Sequence, residues 1–300
     1  MSEPATSAAV LVPENRPAPV RRVLRRVLGN SGILIGGGLL LLIVLGSLLG
    51  PAVYGQDPFT QDVANRIAEP FWNGGPAIHP LGTDMLGRDY LARLLYGGRI
   101  SMLIGVLAVS MAAAIGVTLG LVAGYFGGRV DLIVRFLITT RLAMPVVLVA
   151  LSVVATVGNS LTIVILVLGF LIWDRFAVVA RTTAMQVRDL DYVKAARAVG
   201  SSHSRILFRE ILPNISNGLI VVATVEFANA ILLEAALSFL GLGVQPPLPS
   251  WGLMIAEAKD YLFFSPWLIT LPGIALMLLV LAINLLGDGL RDITAPSGMR

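Results

Sequence analysis

A chain of 300 residues that is 56% hydrophobic and 13% charged, with a mean hydropathy of +0.83, has well under the roughly 25% charge of a soluble domain. Several segments hold on the order of 20 apolar residues, the length that crosses a bilayer core as helix; an ordinary soluble domain is excluded and an all-α polytopic membrane protein indicated. The net charge of +4 and the pI near 9.8 do not point to nucleic acid, because membrane proteins gather basic residues on cytoplasmic loops, and a chain without cysteine has no disulfides and no thiolate metal sites.

Residues 1–30 are rich in Pro, Ala and Arg, end in Arg21, Arg22, Arg25 and Arg26, and read as a flexible cytoplasmic tail. The first span is expected over about Ile33 to Tyr54. A basic stretch before an apolar one also suits a signal peptide, but this run is longer than a typical signal core and further spans follow, so an uncleaved helix is expected. From about Gly55 to Gly98 the chain is polar, with Pro58, Pro70, Pro76 and Pro80, five acids and three arginines, a balance suited to the outside. The second span is expected over about Ser101 to Tyr125, where Gly105, Gly116, Gly120 and Gly124 suit close helix packing in lipid. An inner turn at Phe126–Asp131 leads to a third span complete by about Val157, whose first part, with Arg135 and Arg141, lies near the inner interface. Gly158-Asn159-Ser160 turns outside, and a fourth span covers about Leu161 to Ala180. The polar stretch 181–214 follows, then a fifth span over about Ile215 to Leu240, an outer loop with Pro246, Pro247 and Pro249, a sixth span over about Pro266 to Leu286, and a short tail over 291–300.

Six spans place both termini on one side. Sixteen Lys and Arg fall on the N-terminal tail, the 126–141 region, the 181–214 region and the C-terminal tail, against five on the 55–100 and 243–265 loops. Both termini and the 181–214 stretch are therefore expected in the cytoplasm.

Within that stretch Tyr192 to Val199 favours helix, and Gly200, Ser201 and Ser202 interrupt it. Ser201 or Ser202 can cap a second helix by accepting backbone N–H bonds, and Pro213 is expected to end it, because the residue before a proline is pushed out of the α region. A short helix, a turn and another short helix would then face the cytoplasm. Composition by itself leaves an ordinary interfacial loop as the alternative.

Ala195-Ala196, Gly200 after three intervening residues, and Ile211-Leu212-Pro213 resemble the EAA loop of permease subunits in binding-protein-dependent ABC importers. The glutamate that names that motif is replaced here by Lys194, a reversal of charge. Two further regions narrow the likeness. His79-Pro80-Leu81-Gly82-Thr83-Asp84-Met85-Leu86-Gly87-Arg88-Asp89, running on to Leu94-Leu95-Tyr96-Gly97-Gly98-Arg99, resembles the segment before the second span of C-type permeases of dipeptide, oligopeptide and nickel importers. Ser238-Phe239-Leu240-Gly241-Leu242-Gly243-Val244-Gln245-Pro246-Pro247, Ser250-Trp251-Gly252, and Asn284-Leu285-Leu286-Gly287-Asp288-Gly289-Leu290-Arg291-Asp292 resemble the same subfamily, whose usual Asp-Pro-Arg ending is Ala295-Pro296-Ser297 here.

The resemblance implies a type I ABC importer permease fold with one extra N-terminal span: a first span and extracytoplasmic segment over 31–98, and a five-helix transmembrane domain over 99–290. It implies a second homologous permease, two ATP-binding subunits that bind the ATP and Mg, an extracytoplasmic substrate-binding protein, and a bacterial inner (plasma) membrane location. It assigns ATPase coupling to Tyr192, Lys194, Ala195, Ala196, Arg197, Gly200, Leu212 and Pro213. Peptides are the family's commonest cargo; nickel, glutathione and opines are others.

The chain itself carries no G-x-x-x-x-G-K-[ST] loop for ATP phosphates and no H-E-x-x-H, so a transport subunit without cofactor or metal is expected rather than an enzyme. In the fifth span Glu226, Asn229 and Glu234 are candidate pathway-lining residues, since ionisable groups within a membrane are costly, and Glu226 and Asn229 are i,i+3 neighbours on one helix face. Bonding to neighbouring helices is the structural alternative, and for Asp174 and Arg175 an interhelical ion pair or anchoring is expected. Thr83, Asp84, Arg88 and Asp89 are candidates for contact with the binding protein or, alternatively, for capping and ordering an interfacial helix. A gradient-driven carrier or channel is the rival function; its signature would be paired intramembrane carboxylates, broken helices or a filter loop.

Overall fold

Asn30 starts the first helix: its side-chain oxygen accepts a bond of 3.1 Å from the Ile33 N–H, which satisfies one of the orphan donors of a helix N-terminus. In this computed structural model, which describes residues 27–294, α1 runs over Ser31–Tyr54 and buries only Gly36 and Ser47. Most of the N-terminal tail and the Ala295-Pro296-Ser297 ending lie outside the described residues. α1 leans on the last helix, α10 (Trp267–Thr294), where a Cβ on Gly36 would strike the Ala282 carbonyl and one on Gly289 would strike Ile33. Its remaining surface, with Leu41, Leu42, Leu48 and Leu49 exposed, suits lipid.

α2 spans Tyr90–Phe126, 37 residues, or about 55 Å at 1.5 Å per residue. It therefore starts well before the expected Ser101, because Asp89 caps it by accepting from the Ala92 N–H at 2.7 Å. One face presents Gly116, Gly120 and Gly124 to α6, so closely that a Cβ on each would meet the backbone carbonyls of Trp173, Ala177 and Arg181 in turn. This is the small-residue approach that substitutes for hydrophobic driving force in lipid.

α3 (Gly128–Ala143) and α4 (Val146–Val157) are bent by 86° at Met144–Pro145. α5 (Leu161–Leu171) and α6 (Asp174–Val187) meet at a break over Ile172–Trp173, and the helix continues past the expected end at Ala180. α7 (Asp191–Ala198) is short. α8 covers His203–Phe239 and α9 covers Trp251–Ala258. Among the described residues, five helices, α1, α2, α5–α6, α8 and α10, are long and apolar enough to cross a membrane, and the bent α3–α4 pair makes a sixth crossing if counted as one span.

Two expectations need correction. Pro213 does not end a short helix: α8 runs from His203 straight through it. The segment Ile206–Ile211 is a π-helix, with the Leu212 N–H bonding to the Leu207 carbonyl. Such a widened turn gives the proline ring and its missing N–H a place that a regular α turn denies. The outer loop after residue 243 also contains a helix, α9, started by Ser250, whose hydroxyl accepts from the Leu253 N–H at 3.1 Å.

The core lies between α2, α5, α6 and α8, around Ile104, Leu168, Phe176, Ala180 and Ile211. A second cluster, with Tyr90, Met254, Leu268 and Leu279, ties α9 and α10 to the start of α2.

Candidate functional site

Three clusters contain the polar residues singled out in the sequence. The first lies where α6 turns back into α8. α7 hangs there with Val193 fully buried and Ala196 packed against the core, while Tyr192, Lys194, Ala195, Ala198 and Val199 face out. Its end is closed by a six-to-one bond from the Ser201 N–H to the Ala196 carbonyl (3.1 Å) and a five-to-two bond from Gly200 N–H to the Arg197 carbonyl (3.0 Å). That pair of bonds requires a left-handed residue, and Gly200 supplies it at φ +80° with open space around it. Ser202 caps α8, accepting from the Arg205 N–H at 3.4 Å. Lys194 pairs with Asp191, three residues before it, at 3.7 Å, both exposed.

Behind α7 stands an aromatic post. The Tyr125 hydroxyl and His203 Nδ1 are 2.8 Å apart, the Phe126 ring meets His203 edge-on, and the Arg197 guanidinium lies 5.2 Å from the Tyr125 ring centroid. Arg188 donates to the Gly124 carbonyl at 2.8 Å, and Arg181 forms a two-pronged ion pair with Asp131. Arg197 and the Tyr192 hydroxyl thus fasten α7 to the end of α2 and the start of α8, while Arg188 and Arg181 tie α6 to α2 and α3. Partial burial and the nearby Glu210 carboxylate raise the Tyr192 phenol above its ordinary pKa, so it stays neutral. Leu212 packs on the core and Pro213 is exposed.

The second cluster is deep in the bundle. Arg175 on α6 reaches Glu226 on α8 at 3.0 Å, and the Asn229 amide donates to Glu226 at 3.4 Å. Arg141, in the last turn of α3, donates to the Leu171 carbonyl that ends α5 and stands 4.0 Å from Asp174. Of the two readings expected for Asp174 and Arg175, anchoring or an interhelical ion pair, the ion pair is present for each, Asp174 with Arg141 and Arg175 with Glu226. Glu226 and Asn229 line a cavity here. Glu234 does not belong to it: it is 1% exposed, accepts from Ser238 at 2.7 Å and Ser250 at 2.8 Å, and is walled in by Gly252.

The third cluster is the outer segment. Thr83, Asp84, Arg88 and Asp89 are all buried, at 4% exposure or less. Asp84 accepts from Arg88 Nε at 2.6 Å and faces Arg93 Nε at 3.2 Å; Arg93 in turn bonds Glu257 of α9 at 2.8 Å. Asp89 accepts from Tyr54 at 2.9 Å and meets His79 at 2.8 Å. Thr83 ties the Ala68 N–H at 2.8 Å to the Asn65 carbonyl. All four side chains are turned inward, into bonds that order the segment and cap α2. Among the described residues, no group of three His, Asp or Glu side chains lies close enough to hold a metal ion.

Tyr125, His203 and Glu257 were not singled out as site residues from sequence. Each acts through a partner on a distant element, 78 residues away for Tyr125–His203 and 164 for Arg93–Glu257, so no local pattern marks them.

The fold is that of an ABC importer permease. It is shared with a chain in a structure titled "Inward facing conformations of the MetNI methionine ABC transporter", at a TM-score of 0.55 and 17% identity, covering 67% of this chain and 96% of that one. By sequence, the chain belongs to the family of binding-protein-dependent transport system inner membrane components, whose model matches residues 116–297. The model of the N-terminal TM domain of oligopeptide transport permease C matches residues 18–76. It is 41% identical to the di/tripeptide transport system permease protein DppC of Pseudomonas aeruginosa, over 93% of both chains. It is 40% identical to the dipeptide transport system permease protein DppC of Haemophilus influenzae, over 89% of this chain and 91% of that one.

Proposed function

We propose that this chain is one of two permease subunits of an ATP-driven importer of dipeptides and short oligopeptides, and that α7 is the element through which a cytoplasmic ATPase moves it. The observation that carries this reading is the placement of α7. A helix of eight residues is pinned at one end of the bundle by a buried valine, a glycine-dependent cap and an aromatic post, while Tyr192, Lys194, Ala195 and Ala198 face out. Two spans need only a few residues to join them; an outward-facing helix fastened to both α2 and α8 suits the transmission of a push.

The partners in this reading are a second homologous permease, two ATP-binding subunits that hold ATP and Mg, and an extracytoplasmic substrate-binding protein. The subunit sits in the bacterial inner membrane with both termini in the cytoplasm. Di- and tripeptide cargo is inferred from the relatives' names and from the match to the oligopeptide permease C segment. Within α7, Ala195, Lys194 and Tyr192 face the ATPase, and Ala196, Arg197 and Gly200 hold the helix in place. Leu212 and Pro213 shape the widened turn behind it. Thr83, Asp84, Arg88 and Asp89 shape the outer surface that the binding protein meets. Glu226 and Asn229 line the cargo path, and Glu234 locks α8 to α9.

Reconstitution tests this. In proteoliposomes the purified chain alone should neither hydrolyse ATP nor move dialanine. Uptake should appear only with the second permease, the ATPases and the binding protein together. Dialanine movement by this chain without the ATPases would mark a gradient-driven carrier or channel instead.

A further inference from the structure

Two helix breaks converge on one cavity. The bend at Met144–Pro145 between α3 and α4 and the break at Ile172–Trp173 between α5 and α6 both open onto a space of about 410 Å³, within the size range of small-ligand sites. Broken helices at membrane depth are tolerated where the freed backbone is buried in protein or lines a watery cavity. Arg175 lies fourteen residues into the span that starts at Leu161 and Glu226 thirteen before the end of α8 at Phe239, so both sit about 20 Å in from those ends at 1.5 Å per residue. The site therefore lies well in from the ends of the apolar helices, so Arg141, expected near the inner interface, stands deeper than its sequence position suggested.

Its polar groups come in matched signs. Arg141 and Arg175 pair with Asp174 and Glu226, the Asn229 amide donates to Glu226, and Ile172, Leu232 and Leu233 form apolar wall. Glu226 is buried, whereas its partner Arg175 is 58% exposed. A guanidinium open to that degree at this depth is costly against lipid and affordable on a water-filled route. The Arg141 Nε–H is buried with no hydrogen-bond partner, and the Arg141–Asp174 pair is stretched to 4.0 Å. The groups are close enough to neutralise one another and loose enough to exchange partners.

From this we infer a transient binding site for the charged termini of a zwitterionic short peptide. The peptide's ammonium takes the place of Arg175 on Glu226, and its carboxylate takes the Arg175 guanidinium so released. Asn229 meets the peptide amide. A ligand bearing one charge of each sign leaves the buried charge balanced, whereas a singly charged or neutral solute leaves an ion unpaired or the existing pair undisturbed. The inference deepens the reading of this chain as a peptide permease and rests on it.

The test uses the natural absence of cysteine. Leu232→Cys, on the cavity wall, is assembled into the full complex with its binding protein in proteoliposomes, and its rate of reaction with a small methanethiosulfonate is measured. Dialanine should slow the reaction progressively, by about tenfold once its concentration exceeds the dissociation constant about tenfold. N-acetyl-dialanine amide, similar in size and without end charges, should not. The protection should be lost in Glu226→Gln and Arg175→Gln backgrounds that still copurify with the ATPases. A cysteine that never reacts, equal protection by both compounds, or protection that survives both neutralisations would overturn the inference. Dialanine uptake by the unaltered complex is followed in parallel: uptake with no protection overturns the site alone, whereas no uptake of any dipeptide overturns the peptide reading and the site with it.

Discussion

The Tyr125 hydroxyl and His203 Nδ1, 2.8 Å apart, join the last turn of α2 to the first turn of α8 directly behind α7, and Arg197 of α7 rests on the same tyrosine ring. One side chain thus holds three elements in register at the end of the bundle where α6 gives way to α7.

Tyr125→Phe removes the hydrogen bond and keeps the ring. It should cost about 1 kcal/mol of stability, the net worth of one such bond. Tyr125→Leu also removes the cation–π contact and should cost about 0.5–2 kcal/mol more. Thermal unfolding of the purified complex should rank the variants wild type, Phe, Leu. The number of ATP molecules consumed per peptide imported should rise in the same order as α7 loosens.

The outer network sets a larger effect. Arg93 is 1% exposed and is shared between Asp84 and Glu257. Arg93→Met removes one of the two cations that Asp84 and Glu257 share and leaves Arg88, so its cost should approach but not exceed the about 3–5 kcal/mol of breaking a buried pair outright. The amount of folded protein in membranes and its unfolding temperature should both fall, whereas Lys259→Ala, an exposed change on the same side, should alter neither. An Arg93→Met protein as heat-stable as wild type would mean that the segment is held by packing alone.

On the α2 face that meets α6, a Cβ at Gly120 would collide with the Ala177 carbonyl and the Ala180 side chain. Gly120→Ile should therefore push the two helices apart and cost at least the 1–3 kcal/mol typical of overpacking. Gly38→Ile, on the open side of α1 where nothing lies within 4 Å, should be tolerated. Complex yield after detergent extraction, compared between the two, gives the answer.

Topology can be read with single cysteines. Ser204 and Gln245 are exposed at opposite ends of α8, so Ser204→Cys should label from the cytoplasm and Gln245→Cys from outside. Ser250 is unsuitable because it is fully buried. Labelling of both positions from one side would refute the orientation inferred from basic residues.

Hydropathy made the long helices legible, and the glycines of α2 announced its close packing. The polar stretch after α6 is legible as a short helix ended by Gly200, since a glycine followed by Ser201 and Ser202 both stops and restarts a helix. What stayed hidden depends on partners. Pro213 reads as a terminator in sequence, and only the π turn over Ile206–Ile211 lets α8 pass through it. Ala196 and Ala195 look alike in the motif, yet the first packs inward and the second faces out. Thr83, Asp84, Arg88 and Asp89 look like a polar surface. Their bonding to one another and to Arg93, His79 and Tyr54 turns them inward, a fact set by tertiary contacts rather than residue type.

Coupling through α7 is tested most directly by placing a charge on its outward face without disturbing its inward one. Val199 is 82% exposed and Ala195 is exposed beside it, so Val199→Asp and Ala195→Asp should fold and insert normally. If that face is buried against an ATPase, an unpaired carboxylate there should cost about 2 kcal/mol or more, or about a thirtyfold loss of affinity. The measurement is copurification of the ATPase subunits together with dipeptide uptake, scored against permease abundance. Normal abundance with ATPase retention and uptake both lost is the expected result; wild-type retention and uptake in both variants would show that α7 is only a connection between two spans.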